Sequence, residues 1–474
     1  MDSHRQLKPQ SAAKVLVVAN RLPMIWADDV GWQSAPDGLV TALRSLRNGC
    51  VADWVGSASS LGSPPADAPA PSSFTRLHKV TVSSSVTADA IGGMSNSVLW
   101  PALHGIDEHV HYRDRYWHAY QQFNRSFTAA TIKSCEIDDR VWIHDYHLLL
   151  APKMIKSARA DLRVGLSLHT PFDAASMSRL TDATAIAEAL SACDLIGVQT
   201  LGDIDQLCAF LADHQREPDS VMVSPVSINP EQLVEEAVGS AFADQLCTRV
   251  GSRQLIVGVD RLDYTKAIVE RLVAYDRAFR HHHIEPDDVH IVQIAQPSRT
   301  DVTDYQALRV ALERVAYQLA VDWQRSDGTS PIEVHLDPLA RGDVLAVLAA
   351  ADIAMVTPRR DGMNLVAKEF SILTEHTAGT LVLSSRAGAA AELGPDAILV
   401  DGTNPDSVAN GLDRALRLSD TQRASMATRR ANTIKAWTAE DWALAYTAQL
   451  TASESSASSP RRSRAASSSS NSIA

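Results

Sequence analysis

Arg261 and Lys266 flank a short polar turn, Asp260 to Lys266, that follows the apolar run Leu255 to Val259. A guanidinium offers a planar fork of donors and an ammonium a compact point charge, so a pair placed after a strand suits a diphosphate. Ion pairs to Asp260 or Asp263 are the alternative use of the same cations. Further on, Arg359-Arg360-Asp361-Gly362 interrupts the passage from Ile353–Thr357, of strand composition, to a helical pattern that starts at Asn364. A strand, a tight glycine turn and a helix start aim backbone N–H groups and a positive dipole end at an anion. Asp361 would repel a bare phosphate, so it fits better against the hydroxyls of a neutral group beside it. Glu369, eight residues on, can accept hydrogen bonds from a second polyol such as a ribose. The ligand this pattern suggests is a sugar–diphosphate–nucleoside, set against an ordinary strand–helix turn with solvated charges.

The N-terminal half has its own set. Arg21 follows Lys14 to Ala19 directly, at the carboxyl end of a strand of the kind buried in a parallel sheet, where open α/β sheets bind ligands. A structural pairing with a nearby carboxylate would occupy it equally well. Arg140 to His147 ends in His144-Asp145-Tyr146-His147, and Val164 to Leu168 ends in His169. Two strands that finish in histidine and aspartate put these groups on one sheet edge, and that clustering makes a site as good a reading as isolated core histidines. His281-His282-His283 closes a helix; three consecutive residues cannot face one ion, so they read as solvated helix-end groups and not as a metal site.

Positioning these groups takes a large α/β protein. At 474 residues the chain exceeds the size at which one core keeps growing, which implies two domains. Hydrophobic content of 45% and charged content of 21% are those of a globular protein. A net charge of −12 argues against nucleic acid or an anionic membrane as partner. The five cysteines (Cys50, Cys135, Cys193, Cys208 and Cys247) show no zinc spacing and read as reduced thiols of a cytoplasmic protein. Strand–helix alternation before and after the acidic stretch Glu231 to Val250 gives two Rossmann-like units, 14–240 and 241–450, with a cleft between them. The last helix opens on a capping-box-like Thr438 to Asp441 and could cross back to the first unit. Residues 1–13 and 451–474 read as disordered tails, and 58–75 as a flexible loop.

Four ordered stretches then carry a resemblance: VANRLP at 18–23, VWIHDYHLLLAP at 141–152, VGVDRLDYTK at 257–266 and VTPRRDGMNLVAKEF at 356–370. Over 14–450 the chain resembles the trehalose-6-phosphate synthase family, retaining glycosyltransferases of the GT-B fold. The resemblance implies transfer of glucose from a nucleotide-glucose such as UDP-glucose to a sugar phosphate, without a metal or other cofactor. It implies that Arg261, Lys266 and the amides of Asn364, Leu365 and Val366 hold the diphosphate, with Gly362 and Gly38 in the same donor region. Glu369 would bind the ribose, and Asp361 and His169 the transferred sugar. Asp145 would lie beside the acceptor hydroxyls, and Arg21, Trp100 and Arg299 would contact the acceptor and its phosphate.

Four positions depart from the family pattern: Asp37 and Ala267 stand where glycines are expected, Ser57 where a tryptophan is, and Ile91 where a tyrosine is. They keep two other readings open. One is a related enzyme with a different acceptor, such as a nucleoside, a cyclitol phosphate or an aminosugar. The other is an inactive nucleotide-sugar-binding subunit. Assembly into homo-oligomers is left open by the sequence.

Overall fold

The computed structural model describes residues 14–27, 31–34, 40, 42–43, 53–60, 74, 76–282, 284–299 and 302–452. Two sheets organise them. The first contains β1 (Val15–Ala27), β2 (Gly31–Ser34), β3 (Asp53–Ser60), β4 (Arg76–Val80), β5 (Arg140–His144), β6 (Arg163–Ser167), β7 (Leu195–Val198) and β8 (Val221–Val223). Its order is β4-β3-β1-β5-β6-β7-β8, parallel throughout, with β2 added antiparallel to the end of β1. The second contains β9 (Gln254–Arg261), β10 (Val289–Gln296), β11 (Ile332–His335), β12 (Ile353–Val356), β13 (Thr380–Ser384) and β14 (Ile398–Val400), in the parallel order β11-β10-β9-β12-β13-β14. Helices cover both faces of each sheet, so the strands are buried on both sides. That is why they read as unbroken apolar runs rather than as alternating patterns.

Both strand orders reverse direction at one point, between β1 and β5 in the first sheet and between β9 and β12 in the second. Crossovers leave these points in opposite directions, which opens a crevice outside the carboxyl ends of the strands. Arg21, His144 and Asp145 follow the first switch point; Arg261 and the 357–362 turn follow the second.

Three sequence expectations change. β1 does not stop near Ala19 but runs through Asn20-Arg21-Leu22-Pro23 to Ala27. Its pairing with β5 ends at Val18↔Ile143, and register shifts on either side of Arg21 bend the rest. Pro23 is tolerated because the ladder is already irregular there. The 58–75 stretch begins as the end of β3, and Phe74 is buried edge-on against Trp54 at 5.1 Å; residues 61–73 and 75 lie outside the described residues. Residues 84–104 form one helical run, wound as π-helix over Ala88–Leu99, where the sequence was given no helix.

The C-terminal helix Ala439–Thr451 packs on the first sheet. Tyr446 stacks on Trp142 at 4.6 Å and donates to the Leu195 carbonyl at 3.2 Å, and Trp442 lies 5.1 Å from Trp142. The expected capping box is present, Thr438 and Asp441 each satisfying the other's backbone N–H. Tail residues 1–13 and 453–474 lie outside the described residues. No described helix is long and apolar enough to cross a membrane.

Candidate functional site

Lys266 ends a 3₁₀ turn, Tyr264–Lys266, and its ammonium pairs with Asp361. Asn364 donates to the same carboxylate oxygen of Asp361 at 3.0 Å, and the Gly362 N–H reaches the other oxygen at 3.1 Å. Burial would raise the pKa of Asp361, but the Lys266 charge more than reverses this and holds it below the usual carboxylate value. Asn364 also caps the helix Leu365–Leu373 by accepting from the Ala367 N–H at 3.1 Å, from a left-handed backbone at φ 75°. Leu365 and Val366 are the first two helical residues, whose N–H groups have no partner within a helix. Lys266, Asp361 and the helix start therefore form one cluster. Asp260 and Asp263, the alternative partners of the two cations, are taken by Arg271 at 2.6 Å and Arg299 at 2.5 Å.

Ala267, at a position where the family has glycine, adopts φ 52°. A left-handed alanine costs about 1–2 kcal/mol, and its fully buried methyl offsets much of that. The departure is absorbed locally and leaves Lys266 in place.

Arg261, exposed at the end of β9, sits over the Trp100 ring at 5.5 Å, and Arg299 covers the same ring at 4.0 Å. Asp263 is the hub beneath them. It accepts from Arg299, from Trp100 Nε1 at 3.4 Å, from the Thr265 N–H at 3.0 Å and from the Tyr305 hydroxyl at 3.2 Å. Arg299 also donates to the Tyr146 hydroxyl at 3.2 Å, so it bridges the two halves. Burial, with Arg299, Arg21 and Arg261 adding repulsion, pushes His147 down to about 3. Three arginines, one from the first half and two from the second, thus converge around a neutral histidine. Such a cluster of cations could hold an anion on the side where Arg21 and Arg261 are exposed.

Opposite Asp361 lie Asp145 and His169. Asp145 has the sparsely populated φ 69°, ψ 174° and accepts from the His169 N–H at 3.3 Å. The His169 and His144 rings stack at 5.4 Å with nitrogens 3.1 Å apart, and Trp442 backs His169 at 5.9 Å. Burial, then the neighbouring His169, pushes His144 well below its ordinary value. Gly362 lies so close to this wall that a Cβ there would run into the His169 carbonyl. Arg360 fastens the same junction, donating to Asp173 at 2.8 Å and to the Phe172 carbonyl at 2.7 Å.

Glu369 is buried and accepts from Arg341 at 2.9 Å, which also holds Glu236. Burial raises its pKa, with Arg341 opposing. Its position, one helix turn beyond the cluster, is where a group attached to a diphosphate would extend. Gly38 and Asp37 lie outside the described residues. Ile91 is partly buried against the first core, and Ser57 donates to the Asn20 carbonyl at 2.5 Å.

Sequence reasoning missed Asp263, Tyr146, Tyr305, His104, Arg341 and Arg360. All but His104, which bonds the Trp100 carbonyl four residues back, act through partners distant in sequence, and Asp263, Tyr146 and Arg360 stood inside motifs that marked them. It also missed His109, His111 and Asp304, whose ligand atoms lie within 4.8 Å of one another and could hold a metal ion. The spacing of His109 and His111 was the available signal.

Comparison with known proteins places this arrangement. The sequence profile described as glycosyltransferase family 20 matches residues 13–452. The trehalose-6-phosphate synthase of Mycolicibacterium smegmatis is 34% identical over 432 residues, covering 85% of each chain. A UDP-forming alpha,alpha-trehalose-phosphate synthase from Burkholderia xenovorans, solved in complex with glucose-6-phosphate, superposes with TM-score 0.83 at 26% identity, over 92% of this chain and 100% of that one. A structure described as trehalose-6-phosphate from E. coli bound with UDP-2-fluoro glucose gives 0.82 at 28% identity, over 93% and 99%. The chain belongs to glycosyltransferase family 20 and is a retaining glycosyltransferase of the trehalose-phosphate synthase type, with the GT-B fold.

Proposed function

We propose that this enzyme transfers glucose from a nucleotide-glucose, UDP-glucose or a close analogue, to a hydroxyl of a sugar phosphate such as glucose 6-phosphate. The observation that carries the reading is the convergence of Lys266, Asp361 and Asn364 at a helix start, with Arg261 at the end of the neighbouring strand. The binding of UDP-2-fluoro glucose and glucose-6-phosphate by proteins of the same fold supports it.

In this reading the diphosphate displaces Asp361 from Lys266 and takes its place, held also by Arg261 and the amides of Asn364, Leu365 and Val366. Asp361 and His169 turn to the hydroxyls of the sugar, and Glu369 to the ribose. Arg21, Arg299 and Trp100 bind the acceptor phosphate and ring, while Asp145 orients the attacking hydroxyl. No protein nucleophile is used. The acceptor oxygen attacks the anomeric carbon on the face the diphosphate leaves, its bond forming as the carbon–diphosphate bond breaks. A diphosphate oxygen takes the acceptor proton. The protein contributes stabilisation of the leaving group and alignment of the acceptor. The charges of Arg261 and Lys266 do at the diphosphate what a divalent ion would do, so transfer needs no metal. The setting is the cytoplasm, where thiols such as Cys135, Cys193 and Cys247 stay reduced.

A second reading keeps the donor and changes the acceptor to a nucleoside, cyclitol phosphate or aminosugar. Ile91 favours it, because an apolar side chain packed against the core offers a phosphate no hydrogen-bond donor. Each lost hydrogen bond to a charged group removes about 1.5–3 kcal/mol of binding. Assaying UDP release from UDP-glucose with glucose 6-phosphate and with the other acceptors separates the two. The first reading expects glucose 6-phosphate to give the highest kcat/KM, and a higher value with any of the other acceptors contradicts it. In either case Lys266→Ala lowers kcat at least a hundredfold while circular dichroism stays that of a folded chain; a near-wild-type rate contradicts the donor assignment.

A further inference from the structure

Residues 107–111 lie against the start of the helix Thr303–Asp322, at the mouth of the seam between the halves. His109 Nδ1 lies 2.8 Å from Asp304 Oδ2, and His111 Nε2 lies 3.1 Å from the same oxygen. Val110 between the histidines is extended, with φ −82° and ψ 109°, which sends the side chains on either side of it in one direction. Two imidazoles and a carboxylate are a donor set for a late first-row divalent ion, and three protein ligands leave a position for water. Bonds of about 2.0–2.2 Å around a tetrahedron set ligand atoms roughly 3.3–3.6 Å apart, so the two histidine–Asp304 separations need to widen by less than about 1 Å, and the two imidazole nitrogens already lie within 4.8 Å of each other.

We propose that His109, His111 and Asp304 form a binding site for Zn²⁺ or a similar transition-metal ion, and that the bound ion clamps the two halves together beside the cleft. Its ligands come from both halves, two from the first and one from the second. All three side chains reach solvent, so an ion can enter without unfolding. The clamp is joined to the site at both ends. The His109 ring stacks on Tyr264 at 4.1 Å and 17°, and Tyr264 begins the turn that carries Lys266. Tyr305, next to Asp304, donates to Asp263 and bonds Arg299. An ion at this position fixes the seam where substrates enter and product leaves, and so slows turnover. It is separate from the chemical step, which the proposed function runs without metal. The histidines at 281 and 282 are the competing ligands, but adjacent residues at a helix end cannot both turn to one ion.

The test is a calorimetric titration of the full chain, stripped with EDTA, with ZnCl₂ alone, followed by thermal melting with and without the ion. The expected result is one saturable site, a melting temperature raised by several degrees, and a transfer rate at least fivefold lower at saturating Zn²⁺, restored by EDTA. His111→Ala, a largely exposed change, and Asp304→Asn each weaken Zn²⁺ binding at least tenfold and remove the inhibition. Metal-free activity of His111→Ala stays within twofold of wild type. His281→Ala/His282→Ala leaves binding unchanged. No saturable binding, binding indifferent to His111→Ala, or binding lost with the His281/His282 pair overturns the site. Saturation at the cluster with an unchanged rate overturns the clamp. The binding and melting arms use no sugar substrate, so they stand apart from the identity of the acceptor.

Discussion

Asp263 has more to do than its surroundings in the sequence suggest. Burial would raise its pKa, but Arg299 and Arg261 hold it well below the usual carboxylate range, so it stays charged beneath Trp100. Removing one partner of a buried pair leaves the other uncompensated and costs about 3–5 kcal/mol. Asp263→Asn should therefore lower stability by that amount in urea unfolding. It should also raise the acceptor KM more than it lowers kcat, since Arg299 loses its anchor. His104 acts in the other direction. Burial pushes it down to about 4, and its ring nitrogen Nδ1 meets the Trp100 carbonyl at 2.7 Å, so it is neutral when folded. An unfolded chain protonates this histidine near its ordinary value of about 6.5 while the folded one resists. The unfolded state thus binds more protons between those values, and stability falls as pH drops from 6.5 toward 4. Melting temperature against pH should show that fall in wild type and a shallower one in His104→Gln. The placement of Arg261, Lys266 and Asp361 was legible from the sequence because each stands at a strand end beside a turn. Asp263 was not, because a loop carboxylate looks solvated until Arg299, 36 residues on, is seen to cover it.

Among the elements, the 357–365 turn joins a strand, the helix cap and the opposite half. Its identity was readable because Pro358, Gly362 and Asn364 each restrict or permit particular backbone angles. What could not be read was how close Gly362 comes to the His169 carbonyl, a contact between halves. Gly362→Ala should push the turn from that wall and part Lys266 from its helix start. The expected outcome is a loss of UDP affinity of at least a hundredfold with little change in melting temperature, measured by calorimetry. The length of β1 was misread for a physical reason. A proline normally ends a strand, but Pro23 falls where β5 no longer pairs and the register with β3 has slipped. The helical run before Trp100 was not read as a helix, since its π-wound middle departs from the 3.6-residue period that signals one.

At the scale of the whole molecule, two sheets face each other and one helix ties them. The helix Ala439–Thr451 follows the second half in sequence but buries Trp442 and Tyr446 on the first. Trp442→Ala should cost about 3–5 kcal/mol in chemical unfolding and also lower transfer, because the same ring backs His169. An effect on stability with an unchanged rate would separate the helix from the site. The two-sheet plan followed from the alternation of strand and helix patterns. The packing of the halves did not, because Arg299–Tyr146, Arg360–Asp173 and Trp100–Asp263 join residues that no local pattern relates. The proposed transfer requires a pyrophosphate held by the second half and presented across that seam. A crystal structure with UDP tests this most directly. It should place the β-phosphate within about 3.2 Å of Lys266 Nζ, the Arg261 guanidinium and the first amides of the helix Leu365–Leu373, with Asp361 released. A diphosphate bound elsewhere, with Lys266 still paired to Asp361, would contradict it.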